Sequence, residues 1–105
     1  IALNLEERER LVANLGTANH MILRNHGTMS CGETISQAFL RMFTLERACS
    51  MQVRALSGGV KLHMPSDEAI ENVKNQVAGF GLDLANLSWQ PLLRMLDKED
   101  ASYRN

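Results

Sequence analysis

A chain of 105 residues that is 45% hydrophobic, with 11 basic side chains against 12 acidic ones, falls among ordinary soluble globular domains. Eight of the basic residues are arginines, but they are interspersed with acids, so no basic stripe tracks a phosphate backbone and nucleic acid is excluded as a partner. Apolar runs last only a few residues, against the roughly 20 needed to cross a bilayer, and no charged-then-apolar leader opens the chain; the expectation is a cytoplasmic protein with no membrane partner. Two cysteines, Cys31 and Cys49, form no CxxC pair and read as reduced, buried packing residues.

The chain begins at Ile1 and enters a helix signal within four residues, so a piece of a longer protein is expected. Asn4, with Glu7 three residues on, has the spacing of a capping box, and the apolar Leu11, Val12 and Leu15 then run to a stop at Gly16. "HMILRN" and "TMSCG", separated by "HG", predict two strands of a hairpin, in which Gly27 is expected to supply the positive φ of the turn. A lone hairpin is marginal in water, and these strands need partners. From Thr34, a candidate cap, apolar residues recur at three- and four-residue steps through Ile35, Ala38, Phe39, Met42, Leu45, Cys49, Val53 and Leu56 to Gly58-Gly59, predicting a helix of 23 residues. Its methionines read as packing residues rather than a cofactor groove. Pro65 and Ser66 announce the next helix, expected to end near Ala78; "GFGLDLANLS" is expected to be a loop, and Ser88 to cap a last short helix with Pro91 in its first turn. Residues 1–105 read as one unit without repeats.

The candidate sites are sparse. Catalytic zinc takes three protein ligands and one open position, and the three histidines, His20, His26 and His63, fit no HxH, HxxxH or HExxH spacing. His26 therefore reads either as a turn residue or as one ligand of an incomplete set. No nucleophile elbow and no glycine-rich phosphate loop is present. On the residues alone, the reading stops at an α/β domain of open function.

The segment Met21 to Leu56, "MILRNHGTMSCGETISQAFLRMFTLERACSMQVRAL", resembles the hallmark region of the class II aldolase/adducin family. The likeness lies in an N-H-G turn between two strands (Asn25, His26, Gly27), a second glycine before the next helix (Gly32), and Ala38, Phe39, Leu45, Glu46, Ala48 and Cys49 spaced along that helix. "LLRMLDKEDASYRN" is similar to the end of many bacterial members. The resemblance implies the C-terminal half of a three-layer α/β/α domain, with the hairpin belonging to a mainly antiparallel sheet flanked by helices.

By the same resemblance, His26 corresponds to one of three histidines that bind Zn2+ in members similar to fuculose-phosphate aldolase. The other two form an upstream HxH pair and, like the proton-carrying acid and the phosphate-binding loops, would precede Ile1. The implied activity is that of a lyase making or breaking a carbon-carbon bond in a sugar phosphate or related hydroxy-carbonyl compound. Metal supplies the Lewis acid and a carboxylate moves the proton. One imidazole cannot do this alone, so the piece is expected to be inactive. Homotetramers are implied too, and Tyr103 is a candidate to reach a neighbouring subunit, against the plainer reading of a polar tail. The alternative is a non-catalytic, adducin-like interaction module, since adducin shares the N-H-G turn.

Overall fold

The computed structural model describes residues 5–104. In chain order it comprises α1 (Leu5–Leu15), the antiparallel strands β1 (His20–Leu23) and β2 (Gly27–Ser30), α2 (Ile35–Ser57), α3 (Asp67–Glu99) and a terminal 3-10 turn, Ser102–Arg104. The architecture is α/β, with a hairpin against helices, as expected. The predicted α1 is present; Asn4, its expected cap, lies outside the described residues.

The hairpin pairs Leu23 with Gly27, Ile22 with Thr28, Met21 with Met29 and His20 with Ser30. Its loop closes where the His26 amide donates to the Leu23 carbonyl at 3.2 Å, and the residue in the left-handed region is Asn25, at φ 56°. This corrects the expectation placed on Gly27. Asparagine is among the few non-glycine residues that adopt this conformation readily. Gly27 itself begins β2 with ordinary negative-φ backbone.

Helix α2 has the predicted bounds. The Thr34 side chain accepts from the Gln37 amide, satisfying one of the donors that every helix N-terminus leaves open, and Gly59 at φ 64° carries the chain away after the last turn. The half-buried stripe runs through Ala38, Met42, Leu45 and Cys49, spaced three to four apart on one face. Ile35, Val53 and Leu56, read as part of that stripe, remain exposed. Cys31 and Cys49 are free thiols, half-buried rather than fully enclosed.

Helix α3 departs most from the sequence reading. One continuous helix of 33 residues replaces the predicted helix, loop and short helix; Gly79 and Gly81 are helical, and Pro91 lies well inside. Ser66 caps it as expected, accepting from the Ala69 amide. Ser88, instead of capping, donates its hydroxyl back to the Leu84 carbonyl at 2.8 Å. Glycine and proline lower helix propensity, but packing overrides propensity when one face is covered. Here Ala85, 1% exposed, and the half-buried Ser88, Trp89, Leu92 and Leu93 form that face. It meets the start of α2 where the rings of Phe39 and Trp89 pack edge-on at 5.5 Å and Ser36 donates to Asn86 at 3.0 Å. Trp89 thus belongs to the α2–α3 contact.

The first half of α3 has no such cover. Val73 and Val77 are exposed on it, as are Phe43, Met51 and Val53 on α2. The chain's accessible surface is 9113 Å², against about 5,900 Å² for a compact monomer of this mass. Its radius of gyration is 17.1 Å, against about 13 Å for a compact domain of this length. Among the described residues, no helix is long and apolar enough to cross a membrane.

Two glycines should respond oppositely to alanine. A Cβ on Gly32 would lie 2.6 Å from the Ala38 nitrogen, whereas one on Gly79 meets nothing within 4 Å. Gly32→Ala should destabilise the intact protein by about 1–3 kcal/mol through overpacking. Gly79→Ala should stabilise it by about 0.5–1 kcal/mol through helix propensity. Urea unfolding of both variants checks the pair of signs.

Candidate functional site

His26 stands at the tip of the hairpin, exposed, as the last residue of the three-residue loop from Arg24 to His26. Among the described residues, no side chain hydrogen-bonds its ring, so the imidazole nitrogens are available to a ligand. Asn25 supplies the loop's left-handed residue.

The strand leading away from His26 is tied to α2 along its length. Successive strand residues point to opposite faces, so Thr28 and Ser30 share one face. Both hydroxyls meet α2: Ser30 Oγ donates to the Ala38 carbonyl at 2.8 Å, and Thr28 Oγ1 lies 2.9 Å from Glu46 Oε1 and 3.4 Å from Met42 Sδ. Beyond the strand, Arg41 Nη1 donates to the Cys31 carbonyl at 2.6 Å. The Gln37 side-chain oxygen accepts from the Glu33 amide at 2.8 Å, and Gln37 and Ser36 are themselves buried. None of these ties was read from the sequence as part of the site. The Thr-x-Ser alternation in β2, set against Ala38, Met42 and Glu46 at four-residue steps, is the signal that carries them.

The other histidines do not join His26. His20 sits at the start of β1, paired with Ser30 at the opposite end of the hairpin, and His63 lies exposed between α2 and α3. Among the described residues, no group of three His, Cys, Asp or Glu side chains could hold a metal ion. His26 suits a metal as one donor; the described residues do not assemble a complete site around it. A concavity of about 1110 Å³ between α2 and the first half of α3 has Leu40, Ile70, Val73 and Val77 in its lining and does not include His26.

Tyr103 turns back onto its own chain. Its hydroxyl donates to Asp97 Oδ1 at 2.7 Å; Arg104 donates to that hydroxyl at 3.2 Å and pairs with Asp97. The Tyr103 hydrogen bond, and then the Asp97 charge, raise the guanidinium's pKa. Asp100 Oδ1 accepts from the Ser102 amide at 2.8 Å, which lowers its carboxyl's pKa below the ordinary value.

A short antiparallel hairpin with histidine at its tip, backed by a long capped helix, is the arrangement expected of a class II aldolase-type domain. The chain belongs to the class II aldolase/adducin family: residues 2–53 match the family described as Class II Aldolase and Adducin N-terminal domain. It is 45% identical, over 99% of its length, to a class 2 aldolase-named protein of Pseudomonas aeruginosa, and 47% identical, over 98%, to a similarly named protein of Caulobacter vibrioides. It spans 42% and 40% of those two relatives. Human beta-adducin is 35% identical over 77% of the chain. The crystal structure of an aldolase II superfamily protein from Pseudomonas syringae matches with a TM-score of 0.86 and 40% identity, covering 100% of this chain and 43% of that one.

The Asp100 bond gives the tail a pH dependence of definite sign. Because the folded carboxyl titrates below its unfolded value, the contribution is complete above the unfolded pKa and disappears as pH falls through the folded one, in the range below about pH 4. The Ser102 amide resonance should therefore shift at the acid end and stay flat through neutrality. Asp100→Asn should abolish that acid-end shift.

Proposed function

We propose that the intact protein is a metal-dependent lyase of the class II aldolase type, with His26 as one of its metal ligands. The observation that supports this most directly is the exposed imidazole at the tip of a hairpin anchored to α2, with no partner of its own among the described residues. The substrate class is a small hydroxy-carbonyl compound such as a sugar phosphate. The metal is Zn2+, held by three protein ligands and an open position. The remaining ligands and the proton-carrying acid belong to parts of the protein beyond this chain, which by itself is inactive. When bound, the cation supplies Lewis-acid polarisation of the substrate carbonyl. The contribution of this chain is to present one imidazole donor in a fixed orientation. The intact protein is a cytoplasmic homotetramer, and contact between subunits covers part of the apolar surface left open on α2 and α3.

A second reading is favoured by the match to beta-adducin: a non-catalytic interaction module using the same scaffold. The two readings differ in metal content. Intact protein purified without chelator should carry about one zinc per chain. His26→Ala should lower zinc affinity by more than the roughly 10–100-fold typical of losing an outer-shell partner, and should abolish carbon-carbon bond cleavage. Elemental analysis with an aldol-cleavage assay over a panel of ketose phosphates checks this. Zinc content unchanged by His26→Ala would sink the lyase reading.

A further inference from the structure

The hairpin tip has few restraints of its own. Between His26 and the first residue tied to α2 lies Gly27, and a Cβ built there would meet nothing within 4 Å. Beyond the His26 amide bond to Leu23 within the hairpin, the nearest side-chain anchor toward α2 is therefore Thr28. Its hydroxyl has a single proton and two neighbouring acceptors, Glu46 Oε1 at 2.9 Å and Met42 Sδ at 3.4 Å. A carboxylate forms the shorter and stronger charge-assisted bond, and a thioether is a weak acceptor, so the proton goes to Glu46. Ser30, two residues further along the same strand face, is bound to the backbone of Ala38, on the turn of α2 nearest its N-terminus. The strand thus runs antiparallel to α2, from Ser30 at Ala38 to Thr28 at Glu46. The Glu46 tie is the one nearer the histidine.

We propose that Glu46 is a positioning residue for His26: through the Thr28 hydroxyl, its carboxylate holds the strand end from which the imidazole is presented. This rests on the reading of His26 as a metal ligand, and its role is geometric; Glu46 is not a ligand and takes no proton from substrate. A helix-borne carboxylate suits the task because α2 is a continuous, capped element, whereas the tip is a three-residue loop. Loosening the clasp lets the loop sample orientations in which the ring nitrogen no longer points at the other donors. Metal affinity then falls without the fold being lost.

The test uses the intact protein in five forms: wild type, Thr28→Val, Glu46→Ala, the double variant and Thr28→Ser. Zinc affinity is measured by competition with a chromophoric chelator. Amide hydrogen exchange at residues 25–27 is followed in metal-free protein. Each single loss should weaken zinc binding about tenfold, the low end for outer-shell partners. The double variant should be no worse than either single one, because both remove the same bond. Thr28→Ser keeps the hydroxyl and should restore wild-type affinity. Exchange at His26 and Gly27 should quicken about fivefold or more in the weakened variants while strand and helix amides keep their protection. Unchanged exchange and unchanged zinc affinity in Glu46→Ala would overturn the proposal, as would single effects that multiply in the double variant. His26→Ala is run in parallel: if it leaves zinc bound, the ligand reading fails and the inference falls with it. If it removes zinc while Glu46→Ala changes nothing, only the positioning role fails.

Discussion

The close backbone approach at Gly32 fixes how β2 enters α2, and the position of His26 follows from it. With no side chain at Gly32, the strand-to-helix connection comes within van der Waals reach of the Ala38 nitrogen and of Gln37. The first turn of α2 then folds back over the connection. Thr34 caps the helix, Gln37 accepts the Glu33 amide, and Arg41 reaches the Cys31 carbonyl. Ser36 bonds Asn86 and the Gln37 oxygen accepts the Glu33 amide, which allows both residues to be buried at little cost. Once the helix start is locked to the end of β2, the strand has one path along α2, and its alternate hydroxyls fall on Ala38 and Glu46.

This local construction explains what was legible in the sequence. The hairpin, α2 and both α2 boundaries were readable because each depends on neighbours within a few residues: Thr34 with Gln37, Leu23 with His26, and Gly59 just past the last turn. The long α3 was not readable, because two glycines, a proline and a serine each carry a breaker or cap signal. What overrides them is the packing of Trp89 against Phe39 and the hydrogen bond from Ser36 to Asn86, pairs fifty residues apart in the chain. Propensity is a local quantity and that contact is not. The assignment of positive φ to Gly27 failed for a related reason: loop register decides which residue takes the left-handed position, and Asn25 tolerates it. The candidate site divides the same way. His26 stood out as a residue type in a turn, whereas the Thr28–Glu46 tie required the strand and the helix to be placed side by side.

The distribution of surface gives the scaffold its division of labour. Polar contacts concentrate where β2 meets α2, while large apolar side chains remain open on the first half of α3 and the far end of α2. About 3,200 Å² of accessible surface in excess of a compact monomer is the scale on which extensive protein–protein or intra-domain interfaces are built. Since the chain spans 42% and 40% of its two bacterial relatives, such faces suit burial against further protein.

That division also bears on how one family accommodates both aldolases and adducins. The elements that present the hairpin tip draw on Gly32, Thr34, Gln37 and Glu46, which lie within 20 residues of His26. They form from contacts within this one segment. A catalytic metal site is non-local: it needs lone pairs from distant parts of the chain to converge to within bond length. Losing one distant donor would remove the chemistry and leave the hairpin, its capped helix and the apolar faces standing. A presentation device that is stable on local contacts can therefore persist whether the histidine it displays meets a metal or only solvent. Likeness over this segment accordingly extends to relatives bearing either name, and the segment alone does not separate the two.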